Sequence, residues 1–440
     1  MRWSSSLLLG WLLPGWLLLG LLPLGLMFLA SCGDSSSPAA VDTPTIAWAF
    51  HTAGRFEPCG CTSGMNGGLL RRATLLQQSP AVTARTLSLE GGGWSAGKAD
   101  FEQLQTSAYL ESLATLHVAA VGIGRAEVAL GHDLLTVHLK HPAVAIVCAN
   151  LRDGAGTPIG MPFIRTTVGG TSFTITSVVP ADARGPGLMV ADATEALIRI
   201  ADNAKDSHLI VLADLDEAAL ADLARAVPSI AVVVGGDVAA PSQIPVAVGR
   251  TRIVHQANHG KALGWWTLGD ERCRFELLAE SIPENAALRQ RVTTLQKVIA
   301  QADLSADIQV PLGQNDSAYA GPSACAACHP QAAATHAASR HAHARDALAT
   351  KGYAADPGCL ACHTTGLGQP GGWYRRDPRT ELAAVTCESC HGPGAAHVAS
   401  PSTTPMIPVS AATCVRCHDS DNSPHFNYST YWSKIAHGKP

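Results

Sequence analysis

Short apolar runs alternate with amphipathic segments between residues 45 and 280. Runs rich in β-branched and other apolar residues predict buried strands at residues 46–50, 86–89, 118–123, 143–148, 209–212 and 230–234. Apolar residues spaced three or four apart predict helices at residues 68–78, 101–116, 127–139, 191–200 and 218–226. Alternation of this kind predicts an α/β domain with a largely central sheet.

A further amphipathic helix is predicted directly after this domain. Residues 281–284, Ser-Ile-Pro-Glu, have the spacing of a capping box with proline in the first turn. One apolar stripe follows, formed by Leu288, Val292, Leu295 and Ile299. The stripe is short for a coiled coil, so we expect it to pack on its own domain. We assign residues 45–280 to the α/β domain and residues 281–315 to a connector helix and linker.

The amino terminus carries an apolar stretch from residue 7 to residue 29 after a single basic residue, Arg2. The stretch is long enough to span a membrane, and an uncleaved membrane helix is one interpretation. It ends, however, in Leu29-Ala30-Ser31-Cys32, which resembles the lipobox of bacterial lipoproteins. That resemblance implies a signal peptide at residues 1–31, a lipid on Cys32 and a flexible tether at residues 32–44. The body is then expected in the periplasm or cell envelope, lipid-anchored to the inner or outer membrane.

Composition indicates a globular protein of two or three domains. The chain has 440 residues, of which 47% are hydrophobic and 15% are charged, and its formal net charge is -4. A chain with few charged residues and a slightly negative net charge is not expected to have a basic surface that binds polyanions. Nucleic acid is therefore not an expected partner.

The last third of the chain repeats the pattern Cys-x-x-Cys-His four times. The copies are Cys325 to His329, Cys359 to His363, Cys387 to His391 and Cys414 to His418. A single Cys-x-x-Cys also suits a zinc knuckle or a redox dithiol, but neither needs a histidine directly after every copy. The pattern is the attachment signature of c-type haem, in which two thiols become thioethers and the imidazole binds the iron. We therefore predict four covalent haems, attached through Cys325, Cys328, Cys359, Cys362, Cys387, Cys390, Cys414 and Cys417, with His329, His363, His391 and His418 as proximal ligands.

Four cysteines remain beside those of the haem motifs and Cys32. In an oxidising compartment we expect disulfides among them, and spacing does not give the pairing: they are Cys59, Cys61, Cys148 and Cys273. Cys59 and Cys61 are too close to bridge each other and follow the first predicted strand, where α/β proteins place their sites. A soft-metal site or a redox switch is the second interpretation for these two.

Residues 316–440 resemble the tetrahaem cytochromes c that accept electrons from hydroxylamine oxidoreductase. The matching sequence segments surround the four motifs and comprise residues 319–329, 339–342, 359–366, 387–397 and 417–432. The resemblance implies closely stacked haem pairs and mostly bis-imidazole irons, and it leaves open whether one haem is five-coordinate. On that pattern the distal ligands are, in order of preference, His341, His397, His437 and His425. His397 follows His391 too closely to reach the same iron and is expected to bind a neighbouring one, whereas His336 and His343 are interpreted as surface residues.

The first domain resembles the calcineurin-like metallophosphatase domain of periplasmic 5′-nucleotidases. The matching segments are residues 67–76, 211–236 and 254–264. The resemblance implies an α/β metallophosphatase-like sandwich, but the positions of that family's metal ligands carry other residues, so we predict a degenerate metal site. The polar residues at those positions are His51, Glu90, Glu127, Asp214 and Asp237. They suit at most a single metal, and the interpretation as polar loop residues at strand ends is favoured.

These features predict an exported, lipid-anchored multihaem cytochrome that carries electrons between periplasmic or membrane redox partners. An alternative is a multihaem oxidoreductase that acts on a small nitrogen or sulfur compound at a five-coordinate haem. A weaker alternative is a phosphoesterase or nucleotidase with a haem appendage.

Overall fold

The structure, a computed structural model, describes residues 43–58, 65–78, 80–140, 144–238, 240–256, 259–302, 304, 318–374, 380–419 and 422–438. The predicted signal peptide, Cys32 with nearly all of the tether, the Cys59–Cys61 pair and most of the linker lie outside these residues. Among the described helices, none is long and apolar enough to cross a membrane.

One six-stranded sheet of the α/β domain combines four strands from its beginning with two from its end. Its order is β14-β13-β1-β2-β3-β4, with β1 to β4 parallel and β13 and β14 antiparallel at one side. The strands are β1 (Thr45–Ala49), β2 (Thr86–Glu90), β3 (Val118–Gly122), β4 (Ile146–Val147), β13 (Ala262–Thr267) and β14 (Arg274–Leu277).

A second six-stranded sheet has the order β11-β12-β10-β9-β7-β6, with a parallel centre and antiparallel edges. Its strands are β6 (Ile164–Val168), β7 (Thr171–Val178), β9 (His208–Ala213), β10 (Ile230–Gly235), β11 (Val246–Val248) and β12 (Thr251–His255). A small antiparallel pair is formed by β5 (Leu151–Asp153) and β8 (Leu188–Val190).

The two sheets pack face to face with helices on both outer sides. Period-two alternation along β1 sends Ile46 and Trp48 into the layer between the sheets and Ala47 into the layer beneath the helices. The helices of the domain are α1 (Leu69–Leu76), α2 (Pro80–Arg85), α3 (Asp100–Thr115), α4 (Arg125–Leu130), α5 (His132–Leu139), α6 (Ala193–Asn203) and α7 (Glu217–Ala226). Because the parallel strands of each sheet end at one edge, the polar residues after β1, β2, β3, β9 and β10 collect there.

The connector helix α8 (Ala286–Ala302) confirms the predicted apolar stripe. Leu288, Val292, Leu295 and Ile299 are buried in the same layer as residues of α1 and α3. The predicted cap was wrong, because the helix begins at Ala286 and the side chain of Asn285 accepts the amide proton of Leu288 at 3.1 Å.

Three other expectations are corrected. The domain has two packed sheets, which agrees with the sandwich implied by the resemblance and not with the single central sheet that the local pattern indicated, since the pattern within a strand does not tell which sheet it joins. The helix predicted at residues 127–139 is two helices, because Gly131 has a left-handed φ of 85° that ends the first. Among the described residues Cys148 and Cys273 are free thiols and do not bridge each other, since they lie in different apolar layers.

The carboxyl-terminal segment consists of short helices around a small core. Its helices are α9 (Pro322–Cys328), α10 (Pro330–Ala337), α11 (Ala344–Lys351), α12 (Pro357–His363), α13 (Cys387–His391), α14 (Ala395–Ala399), α15 (Ala411–Cys414) and α16 (Tyr428–Trp432), with 3₁₀ turns at Arg340–His343 and Thr380–Leu382. The core comprises Tyr319, Leu348, Leu360, Trp373 and Leu382. So small an apolar core suits a segment whose interior is completed by bound groups.

Candidate functional site

Each of the four Cys-x-x-Cys-His motifs lies on or at the end of a short helix: α9, α12, α13 and α15. Helical spacing places the two cysteines of a motif one turn apart on one face. In the first and fourth motifs the turn closes through backbone bonds of 2.9 Å, from the His329 amide to Cys325 and from the His418 amide to Cys414. The geometry therefore presents two sulfur atoms and one imidazole together.

Three of the predicted proximal imidazoles face a second imidazole. The ring centres are 6.4 Å apart for His329 and His397, 6.1 Å for His341 and His418, and 6.0 Å for His391 and His437. Two imidazoles on opposite sides of one metal ion have ring centres about 6 Å apart, because each metal–nitrogen bond is about 2 Å long and each ring adds its own radius. With this spacing, the two imidazoles of each pair could both be held by one iron.

Four histidines of the described carboxyl-terminal segment hold Nδ1 against a backbone carbonyl oxygen. The distances are 2.6 Å from His363 to Ala344, 3.2 Å from His391 to Ile407, 2.7 Å from His397 to Thr404 and 3.1 Å from His437 to Ile435. An imidazole that donates through Nδ1 keeps the lone pair of Nε2 for a metal. His336 is different, since its Nε2 contacts the carbonyl oxygen of Val385 at 2.8 Å.

Burial favours the neutral form, which can bind a metal, for three imidazoles of the facing pairs. Loss of hydration lowers the pKa of His341, His391 and His418. His343 and His425 are exposed, and His343 lies 3.5 Å from the carboxylate of Asp346. The donor set therefore fits haem c at the four motifs, and the structure brings together His341, His397 and His437 with proximal histidines.

Thiols of different motifs also meet. A hydrogen bond with Cys325 lowers the pKa of the Cys387 thiol to about 6, and one with Cys362 lowers that of Cys417 to about 7. The same hydrogen bond raises the pKa of the other thiol of each pair, Cys325 and Cys362, and burial adds to it. The first motif thus lies against the third, and the second against the fourth.

The carboxylates at the edge of the α/β domain are bound to the protein itself. Glu90 is fully buried, forms an ion pair with Arg72 and accepts hydroxyl protons from Thr52 at 2.6 Å and Tyr109 at 3.2 Å. Glu127, also fully buried, accepts backbone N–H groups at 2.8–2.9 Å from Gly93, Ser95 and Gly124. Both carboxylates therefore have their acceptor sites filled by internal donors.

His51 and Asp214 form a third internal contact at this edge. His51 Nε2 lies 2.7 Å from Asp214 Oδ1, and the other oxygen of Asp214 accepts the Arg125 amide proton at 2.9 Å. Burial lowers the pKa of His51, but the hydrogen bond and charge of Asp214 outweigh it and the pKa is raised. Burial likewise raises the pKa of Asp214, and His51 more than reverses this. Asp237 is exposed.

A metal site is thus not formed by the residues at this edge that the structure describes. Across the described ranges, no group of three or more histidine, cysteine, aspartate or glutamate side chains could hold a metal ion. The favoured interpretation as polar loop residues was wrong for two of the five, because Glu90 is the last residue of β2 and Glu127 lies in α4. Glu90, Glu127 and Asp214 are buried.

The segment that carries the first three haem motifs is similar to known cytochromes. Residues 324–392 match the family described as cytochrome c554 and c-prime. This segment carries a domain of that family. Over 94 residues the chain is 34% identical to cytochrome c-554 of Nitrosomonas europaea, covering 18% of this chain and 40% of that protein. The chain therefore spans about two fifths of the length of this curated relative, and the cytochrome resemblance seen in the sequence is confirmed.

Two solved structures resemble the α/β part. The 5′-nucleotidase precursor of Thermus thermophilus has a TM-score of 0.51 at 22% identity, covering 58% of this chain and 59% of that one. The sulfate thiohydrolase SoxB of Thermus thermophilus, in complex with glycerol, also has a TM-score of 0.51, at 16% identity, covering 66% and 68%. At these identities the likeness concerns the fold alone, and it confirms the predicted metallophosphatase-like α/β fold.

Sequence reasoning missed two buried residues that organise these sites. Arg72 lies within residues 67–76, the segment that resembles the nucleotidases, and it is the ion-pair partner of Glu90. Glu388 lies between the cysteines of the third motif and is only 3% exposed. A charged residue in an otherwise apolar or small-residue stretch was the available signal in both cases.

Proposed function

We propose that the protein is an exported, lipid-anchored multihaem c-type cytochrome that carries electrons between periplasmic or membrane redox partners. The observation that carries this proposal is the set of three imidazole pairs, 6.0–6.4 Å apart, each containing the histidine of a haem attachment motif. Bound haem c supplies an iron that changes between the ferrous and ferric states and so accepts or donates one electron.

The residues would hold four haems as follows. The cysteines of each motif attach the macrocycle, and the following histidine is the proximal ligand. In the proposed arrangement His397 is the distal ligand at the first motif, His437 at the third and His341 at the fourth. Two imidazole ligands favour electron transfer over binding of a substrate, because they leave no open position on the iron. His363 is the proximal ligand of the second haem, and His425 is the last candidate for a distal one.

The α/β domain, proposed at residues 45–280, would act as a structural or docking module. Its internal hydrogen bonds support this role, since Glu90 and Glu127 are bound to protein donors. Export is supported by the lipobox-like segment ending at Cys32 and by the need for haem attachment outside the cytoplasm. A Cys32→Ser variant is expected to leave the membrane fraction and appear in the soluble fraction.

The test is a mass measurement of covalent haem combined with electron paramagnetic resonance of the oxidised protein. Four haems with only low-spin iron are the expected result for electron transfer. A high-spin signal that shifts on addition of nitric oxide or hydroxylamine would instead favour the oxidoreductase alternative. Fewer than four haems would overturn the proposed cofactor set.

A further inference from the structure

Glu388 joins the first haem motif to the third. Its carboxylate accepts backbone N–H groups from Ala320 at 2.8 Å, Gly321 at 2.9 Å and Gly394 at 2.7 Å. Ala320 and Gly321 lead directly into α9, which carries the first motif, and Gly394 leads into α14, which carries His397. One side chain thus holds the approach to the first motif and the segment of the opposite imidazole.

Ser389, the next residue, contacts the other two motifs. Its Oγ lies 2.9 Å from the hydroxyl oxygen of Thr365, a fully buried residue two positions after His363 of the second motif. Its carbonyl oxygen accepts a proton from Arg416 at 2.7 Å, and Arg416 lies between the cysteines of the fourth motif. The two residues between Cys387 and Cys390 therefore contact structure belonging to all three other motifs.

The hydrogen bonds of Glu388 and Ser389 go beyond those that cap a single helix. Ser389 does complete a cap with Thr386, whose amide proton it accepts at 3.2 Å. The bonds of Glu388, by contrast, reach residues 67 and 68 positions away in the chain. A carboxylate that is only 3% exposed is retained only where donors compensate its lost hydration, and here those donors come from two separate segments.

We propose that Glu388 and Ser389 are positioning residues that fix the relative placement of the four haem sites. The proposal rests on the proposed function. The carboxylate of Glu388 also lies between the segments of the first and third motifs, and a buried negative charge favours the ferric state of nearby haems. Haem potentials respond to such buried charge and hydrogen bonding.

The test compares Glu388→Gln with a matched control, Glu381→Gln, in the full haem-loaded chain. Glu381 is an exposed carboxylate beside the same segment and accepts the hydroxyl proton of Ser323 at 2.8 Å. Covalent haem is counted by mass, and each haem is titrated by redox potentiometry with paramagnetic resonance detection. We expect four haems in both variants. Two haem potentials should rise in Glu388→Gln and none should move in Glu381→Gln, because solvent screens an exposed charge.

Unchanged potentials in Glu388→Gln, or equal shifts in both variants, would overturn the inference. If Glu388→Gln does not retain its haems, the milder Ser389→Ala decides. That variant is expected to keep four haems and to show altered resonance signals, and a spectrum identical to that of the unmodified protein would overturn the inference. Fewer than four haems in the unmodified protein would instead count against the proposed function, so the two failures are distinguishable.

Discussion

The imidazole rings of His391 and His437 lie with their centres 6.0 Å apart, and each ring holds Nδ1 against a backbone carbonyl oxygen. His391 belongs to an attachment motif, whereas His437 lies beyond α16, far along the chain. These hydrogen bonds restrain both rings before any metal binds, so the entropy lost on ligation is reduced.

Replacing His437 should therefore open one iron. In His437→Ala we expect four covalent haems by mass, and a high-spin ferric signal from one haem in paramagnetic resonance. The matched control is His343→Ala, since His343 is exposed and lies beside the carboxylate of Asp346 rather than beside a proximal histidine. A wholly low-spin spectrum for His437→Ala, or the same high-spin signal in both variants, would contradict the assignment of His437.

A second prediction concerns the contact between α8 and α12. Gln296 Nε2 donates to Asp356 Oδ2 at 2.8 Å, and Asp356 is only 7% exposed. Burial raises the pKa of Asp356, and the bonds from Gln296, Gly358 and Cys359 only partly offset this. Gln296→Ala should lower the free energy of unfolding by about 1–3 kcal/mol, because a buried acceptor loses its donor.

Denaturant unfolding of the haem-loaded protein measures this change. Gln290→Ala, on the exposed face of the same helix, is the control and should stay within about 0.5 kcal/mol of the unmodified protein. Equal values for the two variants would show that the Gln296 bond contributes nothing to stability.

A third prediction follows from the His51–Asp214 pair. The pKa of His51 is raised above 6.5 on folding, so its contribution to stability is complete below pH 6.5 and is lost as the pH rises through the folded value. The pKa of Asp214 is lowered below 3.8, so its contribution is present above pH 3.8 and is lost as the pH falls through the folded value. The pair should therefore stabilise most between pH 3.8 and 6.5.

Asp214→Asn should reduce the free energy of unfolding by about 1.5–3 kcal/mol in that window, with a smaller loss at higher pH. The measurement is denaturant unfolding at a series of pH values. Asp206→Asn, an exposed carboxylate, should give a small difference at every pH. A loss in Asp214→Asn that does not depend on pH would contradict the ion pair.

A fourth prediction concerns hydrolysis. Because Glu90 and Glu127 are occupied by protein donors, added Mn²⁺ or Mg²⁺ should neither raise the unfolding midpoint nor produce nucleotide hydrolysis above the metal-free background. A phosphate-release assay with and without a chelator checks this. Metal-dependent release abolished by the chelator would revive the phosphoesterase alternative.

The sequence determined these features to different degrees, for physical reasons. The haem motifs and the stripe of α8 were readable because both depend on spacing within one segment. The division into two sheets was implied by the family resemblance but not by the local pattern, because Ile46 and Ile210 have the same local pattern yet come to the intersheet layer from different sheets.

At the candidate sites, too, the sequence did not predict contacts between segments that are distant in the chain. The resemblance predicts a degenerate metal site around Glu90, but the ion pair of Glu90 with Arg72 depends on α1 packing over β2. Likewise, the spacing predicts that His397 binds a haem other than that of His391, without saying which one. Its position opposite His329 follows from tertiary packing that the carboxylate of Glu388 helps to hold.

Helix α8 has a consequence for dissecting the molecule. Its apolar stripe belongs to the core of the α/β domain, while Gln296 supports Asp356, whose side chain caps the helix of the second haem motif through the Gly358 amide at 3.0 Å. A fragment that begins at residue 316 would keep every attachment cysteine. It would lose Gln296, and Asp356 would then lack the side-chain amide that donates to its carboxylate. A fragment meant to transfer the haem motifs to another protein should therefore begin before Ala286. The recipient protein must then provide an apolar surface that covers the stripe of α8.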